Sequence, residues 1–206
     1  DCKLHSFIID GKGNVAAKST LRFDMGKFDE KIIKQEIELN NPSLWSIETP
    51  TLYKLVSVVE CEGKEVDKTE TSFGIRTLSW DKDKGFFLNG KPVKIKGVCC
   101  HQDHAGVGAA LPDRLQYYRI EQLKEMGCNA YRTSHNPPTT ELLEACDKLG
   151  MLVLDENRLL GSSPEILKQF ETLLLRDRNH PSVIAWSIGN EEWNMHTTDQ
   201  AREIAL

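Results

Sequence analysis

The sequence predicts an antiparallel β-sandwich followed by an α/β region built on a parallel sheet. Up to about residue 78, apolar and polar residues alternate in runs of strand length, which is the pattern of half-buried strands. After Trp80, short apolar runs alternate with helical segments, an order typical of strand–helix–strand units. We therefore predict two domains, at residues 1–79 and 80–206.

Three stretches of the first region predict strands of the sandwich. Apolar and polar residues alternate from Ile33 to Leu39, and the runs Tyr53 to Cys61 and Val66 to Ile75 have the length and the apolar content of strands. Asn40 to Pro50 forms a longer connection between them. We expect Trp45, which lies in that connection, to fill one end of the sandwich.

The second region contains a hairpin, four apolar runs and three helical segments. The pair Asn89-Gly90 predicts a two-residue hairpin turn. The apolar runs, each predicted to be a strand, are Val93–Val98, Ala130–Tyr131, Met151–Leu154 and Val183–Ile188. Asp113 and Thr140 are expected to cap the first two helices, which end at Gly127 and Gly150, and Ser163-Pro164 is expected to start the third.

Each of the four apolar runs is followed by polar, ionisable residues. In chain order these are His101-Gln102-Asp103-His104, Arg132 to Asn136, Asp155-Glu156-Asn157-Arg158 and Gly189-Asn190-Glu191-Glu192. In a parallel barrel the C-terminal ends of the strands share one face, and active sites are built there. The sequence therefore predicts a polar pocket at this face.

The groups at the strand ends suit the hydrolysis of glycosides. That reaction needs a protonated carboxyl group and a second carboxylate roughly 5 to 10 Å away. Glu191 is the candidate acid, because it follows the strand that carries Trp186, whose indole would shield the carboxyl group from water. Asn190 is expected to hydrogen-bond a sugar hydroxyl group, whereas we expect Glu192 to be solvated.

The segment after the first apolar run allows two interpretations. His101, Asp103 and His104, next to Cys99 and Cys100, contain the residue types that bind metals. Zinc sites, however, favour separated pairs of ligands or helical spacing of two histidines. We therefore expect His101 and Asp103 to bind sugar hydroxyl groups, and we expect neither a metal nor a cofactor.

Three further residues have alternative interpretations. Arg132 is expected either to line the pocket or to pair with Asp155 or Glu156 in the barrel mouth. His135 is either a pocket residue or a core histidine. His180 precedes Pro181, and we expect it to be structural.

Composition limits the class of partner. Hydrophobic residues make up 39% of the chain, charged residues 28%, and the net charge is −5. We expect no membrane span and no nucleic-acid partner, since long apolar runs and basic stripes are missing. The six cysteines are expected to be buried thiols rather than a disulfide framework. No signal peptide is visible and the chain begins at Asp1, so the natural N-terminus is expected upstream; the compartment stays open between periplasmic or extracellular and cytoplasmic.

These motifs together resemble glycoside hydrolase family 2, the family of β-galactosidases and β-glucuronidases. The segments that carry the resemblance are Phe73-Gly-Ile-Arg76, Phe87 to Val93, Lys96-Gly-Val98, Arg132 to Pro137, Cys146 to Gly150, Asp155-Glu156 and Arg176 to Glu191. The resemblance implies an immunoglobulin-like sandwich followed by the first half of a (β/α)8 barrel. It also implies a retaining mechanism through a covalent glycosyl-enzyme.

The resemblance assigns roles to individual residues. It implies that Glu191 is the general acid/base and that Asn190 contacts the sugar near its 2-hydroxyl group. His101, Asp103 and His135 would line the sugar site, and Arg132 would support a nucleophilic glutamate on a later strand, outside this chain. We expect the chain to be a piece of a larger enzyme that is inactive alone and able to self-associate.

Departures from the family pattern bear on specificity and on metals. Cys99 stands where the family often has asparagine, and residues 157–161 lack the acidic and histidine magnesium ligands of some β-galactosidases. Glu192 follows Glu191, where many β-glucuronidases have proline. We therefore favour a β-galactosidase that acts on terminal β-galactosides; the alternatives are a β-glucuronidase, a β-mannosidase or a non-catalytic carbohydrate-binding relative.

Overall fold

A computed structural model describes residues 1–191, and these form two compact units. The first unit comprises Asp1–Leu44 and Thr51–Ile75, and the second comprises Trp45–Pro50 and the chain from Arg76 onward. The division after Ile75 lies close to residue 79, where we place the domain boundary. Segment 45–50 belongs to the second unit, although the chain on both sides of it belongs to the first.

The first unit contains a four-stranded antiparallel sheet with the strand order β2-β1-β3-β4. Its strands are β1 (Cys2–Ile9), β2 (Val15–Phe23), β3 (Tyr53–Cys61) and β4 (Lys64–Phe73). Strand β3 has the predicted bounds. The turn after it contains Glu62 and Gly63, both with positive φ (52° and 76°), which is the geometry of a tight hairpin.

The alternating run from Ile33 to Leu39 is not a strand, which corrects our prediction. Its apolar residues and Gln35 are half-buried, and the intervening charged residues are exposed, so the period of two is real. The contact with the sheet is made by side chains: the Ser6 hydroxyl group donates to Gln35 Oε1 (2.5 Å). The alternation of residues 33–39 therefore reflects a segment that lies against the sheet without pairing as a strand.

One pair of cysteines corrects the expectation of free thiols. Cys2 and Cys61 lie directly opposite each other on β1 and β3 and form a disulfide bond. They are 59 residues apart in sequence, so their pairing depends on strand register and not on any local motif. The other four cysteines are free thiols, but only Cys146 is buried as predicted; Cys100 and Cys128 are half-buried, and Cys99 is exposed.

The second unit begins with a small antiparallel sheet. Its strands are β5 (Leu78–Asp81), β6 (Gly85–Leu88) and β7 (Lys91–Pro92). Leu88 pairs with Lys91, so Asn89 and Gly90 form the two-residue turn between them. Both turn residues have positive φ (52° and 73°), as this type of turn requires, and the hairpin prediction is confirmed.

A four-stranded parallel sheet forms the body of the second unit. Its strands are β8 (Gly97–Cys100), β9 (Ala130–Thr133), β10 (Leu152–Glu156) and β11 (Val183–Ser187), and they are neighbours in chain order. The connecting helices are α1 (Asp113–Glu125), α2 (Thr140–Leu149) and α3 (Pro164–Asp177). The alternation of strand and helix is as predicted, but the first strand begins at Gly97 and not at Val93.

The helix ends follow local sequence signals, with two shifts of one residue. The hydroxyl group of Thr139 caps α2, so Thr140 is the first helical residue and not the cap. Asp113 is likewise the first residue of α1, and no side chain caps that helix. Ser163 caps α3, and Pro164 occupies its first turn, as predicted.

The main core of the second unit packs helices against the parallel sheet. Its buried members are Ile120, Tyr131, Leu142, Leu143, Ala145, Cys146, Met151, Val153 and Val183. The apolar spacing of residues 118–126 predicts an inner face for α1 that includes Tyr118 and Met126, but both are exposed. Tyr118 and Ile120 are two positions apart, and residues at that spacing do not share a helix face.

Trp45 is part of the second unit, which corrects its expected place in the sandwich. Its side chain is fully buried, and its indole N–H donates to the carbonyl oxygen of Asp147 in α2 (2.8 Å). The side-chain amide of Asn89 donates to the Trp45 carbonyl oxygen (3.0 Å). Segment 45–50 is therefore joined by hydrogen bonds of Trp45 to α2 and to the β6–β7 hairpin.

Two glycines that follow helices provide a test of this packing. Gly150 has φ +72°, and a methyl group there would overlap the carbonyl oxygen of Ile47; Gly127 has φ +88° and open space around it. Gly127→Ala is expected to lower the free energy of unfolding by about 1 kcal/mol through backbone strain alone. Gly150→Ala should cost about 1–3 kcal/mol more because of the overlap. Urea unfolding measures both; equal losses would contradict the packing of segment 45–50 against α2.

Candidate functional site

A polar cluster around Arg132 joins three of the four strand ends. Arg132 Nε donates to Glu156 Oε2 (2.6 Å), and its Nη2 donates to Asn190 Oδ1 (2.8 Å). These partners come from the end of β10 and from the residues after β11. In the sheet register, Arg132 is level with Cys99 of β8 and Leu154 of β10, so the strand ends are aligned.

Glu156 is the most deeply buried member of the cluster, with a side-chain exposure of 0%. Its carboxylate oxygens accept hydrogen bonds from Arg132 and from His135 Nδ1 (2.8 Å). Burial raises the pKa of Glu156, but the hydrogen bonds from Arg132 and His135 outweigh it, and the pKa lies below its ordinary value. Glu156 is therefore a carboxylate that balances the charge of Arg132.

Two histidines meet beside this ion pair. The rings of His101 and His135 are in edge-to-face contact, with their centroids 5.1 Å apart. His101 follows β8 and His135 follows β9, so the contact joins the ends of these two strands. His135 also contacts Glu156 through Nδ1, and the His135 side chain is 28% exposed.

The six predicted site residues have different positions in the structure. Arg132, His135 and Asn190 belong to the hydrogen-bonded cluster, and His101 adjoins it through His135. Asp103 and Glu191 follow the ends of β8 and β11 and are exposed. Their roles in a sugar site stay predictions. Glu192 lies outside the described residues.

Glu156 is a residue that we did not assign to the site. From the sequence it was only one of two possible partners of Arg132. Side chains along a strand alternate between the two faces of a sheet. Counting back from Glu156 in steps of two gives Leu154 and Leu152, which line the sheet face that Arg132 also lines. The pairing that sets Leu154 level with Arg132 is known only from the structure, so no sequence signal favoured Glu156 over Asp155 for this face.

Trp186 lies on the other face of the sheet, which corrects its expected place beside Glu191. Its indole packs against the core of buried residues from the helices, including Phe170 and Leu173 of α3. Trp186 is level with Asp155 in the pairing of β10 and β11, whereas Ser187 is level with Glu156. The alternation of side chains therefore directs Trp186 away from the Arg132 cluster.

The sheet face opposite the helices is largely apolar below the cluster. A cavity of about 220 Å³ lies against it and is lined by Trp80, Ile95, Gly97, Val98, Cys99, Ala130, Tyr131, Arg132, Leu152, Val153, Leu154, Ile184 and Ala185. Exposed apolar surface of this kind favours association. Self-association of the chain stays a prediction.

His180 takes the structural position that we predicted. Its Nδ1 is 2.6 Å from Asp147 Oδ2, and the Asp147 side chain also accepts a hydrogen bond from the backbone N–H of Ser182 (3.1 Å).

Within residues 1–191, no three His, Cys, Asp or Glu side chains are grouped so as to hold a metal ion. No helix in this part of the chain is long and apolar enough to cross a membrane.

The cluster lies at the carboxyl ends of consecutive parallel strands, which is where the class of α/β-barrel enzymes builds its active sites. Comparison with known families narrows this class. The model described as "Glycosyl hydrolases family 2" matches residues 1–76, and "Glycosyl hydrolases family 2, TIM barrel domain" matches residues 81–165 and 161–205. The chain belongs to glycosyl hydrolase family 2.

Individual relatives agree with this assignment. Beta-galactosidase BoGH2A of Bacteroides ovatus is 39% identical over 98% of the chain, which spans 25% of that protein. A beta-galactosidase of Thermoanaerobacter pseudethanolicus is 33% identical over 94% of the chain, which spans 27% of that protein. The chain therefore covers about a quarter of the length of these relatives.

Solved structures show the same fold. A family 2 member from Bacteroides cellulosilyticus has a TM-score of 0.89 at 37% identity, over 98% of this chain and 28% of that one. The beta-glucuronidase of Bacteroides uniformis has a TM-score of 0.86 at 29% identity, over 98% of this chain and 26% of that one. The predicted fold class, an immunoglobulin-like domain followed by the start of a TIM barrel, is confirmed.

Proposed function

We propose that the full-length protein containing this chain is a retaining exo-β-glycosidase and that its preferred substrates are terminal β-galactosides. The observation that carries the proposal is the Arg132 cluster at the carboxyl ends of the barrel strands. The similarity to relatives named β-galactosidase supports the choice of sugar. Such an enzyme hydrolyses the glycosidic bond in two displacements, with a covalent glycosyl-enzyme between them.

Glu191 is the proposed general acid/base. In the first step it would protonate the departing glycosidic oxygen, and in the second it would take a proton from the attacking water. Its neighbour Asn190 accepts a hydrogen bond from Arg132 through Oδ1, which fixes the amide and leaves its NH₂ group to donate to a sugar hydroxyl group. Arg132 thereby sets the position of the residue next to the acid.

The nucleophile is proposed to be a glutamate on a later barrel strand, outside residues 1–206. Glu156 is unsuited to that role, because its side chain is fully buried and both of its oxygens accept hydrogen bonds from Arg132 and His135. A nucleophilic carboxylate must reach the anomeric carbon from an accessible position. Residues 1–206 alone are therefore expected to be inactive.

β-Glucuronides are the second candidate substrates. The similarity to the Bacteroides uniformis β-glucuronidase, at 29% identity, supports this alternative. Hydrolysis of nitrophenyl β-galactoside, β-glucuronide and β-mannoside by the full-length protein separates the candidates. Hydrolysis of none of them would contradict the proposal and favour a non-catalytic sugar-binding protein.

Glu191→Gln in the full-length protein is expected to lower kcat/KM about 10²–10⁴-fold on substrates with poor leaving groups. Dinitrophenyl glycosides should be affected less in their first step, because their leaving group needs little protonation. The steady-state rates of both substrate types measure this difference. Glu171→Gln, which alters an exposed ion pair with Lys168, is the matched control and should leave the rates unchanged. Equal rates for Glu191→Gln and the wild type would exclude Glu191 as the acid.

A further inference from the structure

The segment after β8 carries two of the proposed sugar-binding residues, and the backbone hydrogen bonds of its central part are local. Residues 101–112 have no strand or helix, and most of them are exposed. His104 and Gly108 exchange backbone hydrogen bonds (both 2.9 Å), and the other hydrogen bonds described for residues 104–110 also join members of this segment. The positions of His101 and Asp103 therefore need support from outside it.

Arg119 of α1 supplies that support. Its Nη1 donates to the carbonyl oxygen of His101 (2.8 Å), and its Nη2 donates to the carbonyl oxygen of Asp103 (2.5 Å). The planar guanidinium group holds both carbonyls at once, which the single ammonium group of lysine does not do with the same geometry. One side chain thus fixes the backbone at both proposed sugar-binding positions.

Arg119 is itself anchored to the sheet through Tyr131. Nη1 also donates to the Tyr131 hydroxyl group (3.3 Å), which is 3.5 Å from the carbonyl oxygen of Cys100. The ring of Tyr131 is buried in the core between the helices and the sheet. The segment is therefore tied to β8 and β9 through a rigid buried residue.

Close packing does not replace these hydrogen bonds. A cavity of about 160 Å³ lies between the segment, α1 and the residues after β9. Arg119, Gln102 and Ser134 are among the residues that line it. A segment that borders a cavity lacks dense van der Waals contacts on that side, so directional hydrogen bonds determine where its backbone lies.

We propose that Arg119 is a positioning residue of the sugar site. It sets the backbone of His101 and Asp103, and through the ring of His101 it supports His135 and the Arg132 cluster. The inference rests on the proposed function and extends it to a residue on the helix side of the sheet, which would not touch the sugar.

The test compares three variants of the full-length protein with the wild type. Arg119→Met is expected to lower kcat/KM for the preferred nitrophenyl glycoside about 10–100-fold, since small displacements of binding groups reduce rates by such factors. Arg119→Lys should recover only part of this loss. Arg114→Met is the matched control on the same helix: Arg114 forms an exposed ion pair with Glu121, and its loss should change kcat/KM less than about twofold.

A double-mutant cycle distinguishes positioning from a general loss of stability. If Arg119 acts through the residues that it holds, Arg119→Met should cost much less in a His101→Ala/Asp103→Ala background than in the wild type. Additive losses would overturn the proposal. So would unchanged kcat/KM in Arg119→Met.

Hydrogen exchange provides a readout that does not depend on activity. The backbone amides of residues 101–110 should exchange faster in Arg119→Lys than in the wild type, while those of β9 and β10 stay protected. Unchanged exchange in residues 101–110 would overturn the proposal. Because this experiment uses Arg119→Lys, it remains decisive even where Arg119→Met fails to fold. If the wild type hydrolyses no glycoside, the proposed function fails. The exchange experiment still tests whether Arg119 fixes the backbone of His101 and Asp103.

Discussion

Glu156→Gln is expected to lower the free energy of unfolding by about 2–4 kcal/mol, because it removes the buried counter-charge of Arg132. Loss of one partner of a buried ion pair typically costs about 3–5 kcal/mol. We discount that figure because the Arg132 side chain is 29% exposed. The glutamine NH₂ group would in addition face the donor Nδ1–H of His135. Urea unfolding of the wild type and the variant at neutral pH measures the loss.

The control for this prediction is an exposed ion pair in α2. Glu144 pairs with Lys148, both about half exposed, and Glu144→Gln should cost less than about 0.5 kcal/mol. The pKa of Glu156 is lowered in the folded state, so its ionised form stabilises the fold above the ordinary value of 4.5. That contribution is lost as the pH falls through the folded-state pKa, and Glu156→Gln should remove it. Equal losses for the two variants would contradict the ion-pair assignment.

Asp155→Asn is expected to stabilise the protein at alkaline pH. Asp155 is fully buried, and no N–H or O–H group among the described residues donates to either of its carboxyl oxygens. Burial, followed by the negative charge of Asp177, raises the pKa of Asp155 to about 8. Asp177 is itself paired with Arg176, whose Nε and Nη2 each donate to one of its oxygens (2.6 Å). A proton on Asp155 can therefore be donated to Asp177.

The direction of the pH dependence follows from this shift. The folded-state pKa lies above the ordinary value of 3.8, so the contribution of Asp155 is fully present below about pH 4 and is lost as the pH rises towards 8. Asparagine keeps a donor for Asp177 and cannot ionise. The free energies of unfolding should be similar at pH 4, and the variant should be more stable at pH 8 by on the order of 2–4 kcal/mol.

An exposed aspartate is the control for Asp155. Asp83 pairs with Lys82 on the surface, and Asp83→Asn should leave the curve of stability against pH close to that of the wild type. Parallel curves for the wild type and Asp155→Asn would show that Asp155 ionises normally in the folded protein. The measurement needs urea unfolding at four or five pH values between 4 and 8.

Local patterns predicted the elements whose formation depends on neighbouring residues. The bounds of β3 and the Asn89-Gly90 turn were predicted correctly, because strand alternation and turn chemistry act over a few residues. Other features depend on partners far along the chain. Trp45 donates a hydrogen bond to Asp147, which is 102 residues away in sequence, and Cys2 forms a disulfide bond with Cys61, which is 59 residues away. No nearby motif indicates either contact.

The candidate site was predictable in the same limited sense. Polar residues after four apolar runs indicated a site at the carboxyl ends of the parallel strands. Arg132, His135 and Asn190 do form one cluster there. Glu156 was not predicted as its centre. Trp186 was assigned to the wrong face because an irregularity in the pairing of β10 and β11, directly after Val183, shifts the alternation of the β11 side chains.

The sequence by itself determined the order of strands and helices, the polar strand ends and the resemblance to family 2, since all three depend on short-range periodicity and motif spacing. Only the tertiary structure decided which charges neutralise one another. Glu156 balances Arg132 and Asp177 balances Arg176, while Asp155 is left without a cation of its own. Pairing and burial depend on distances in space, and residues that are adjacent in sequence, such as Asp155 and Glu156, therefore ionise differently.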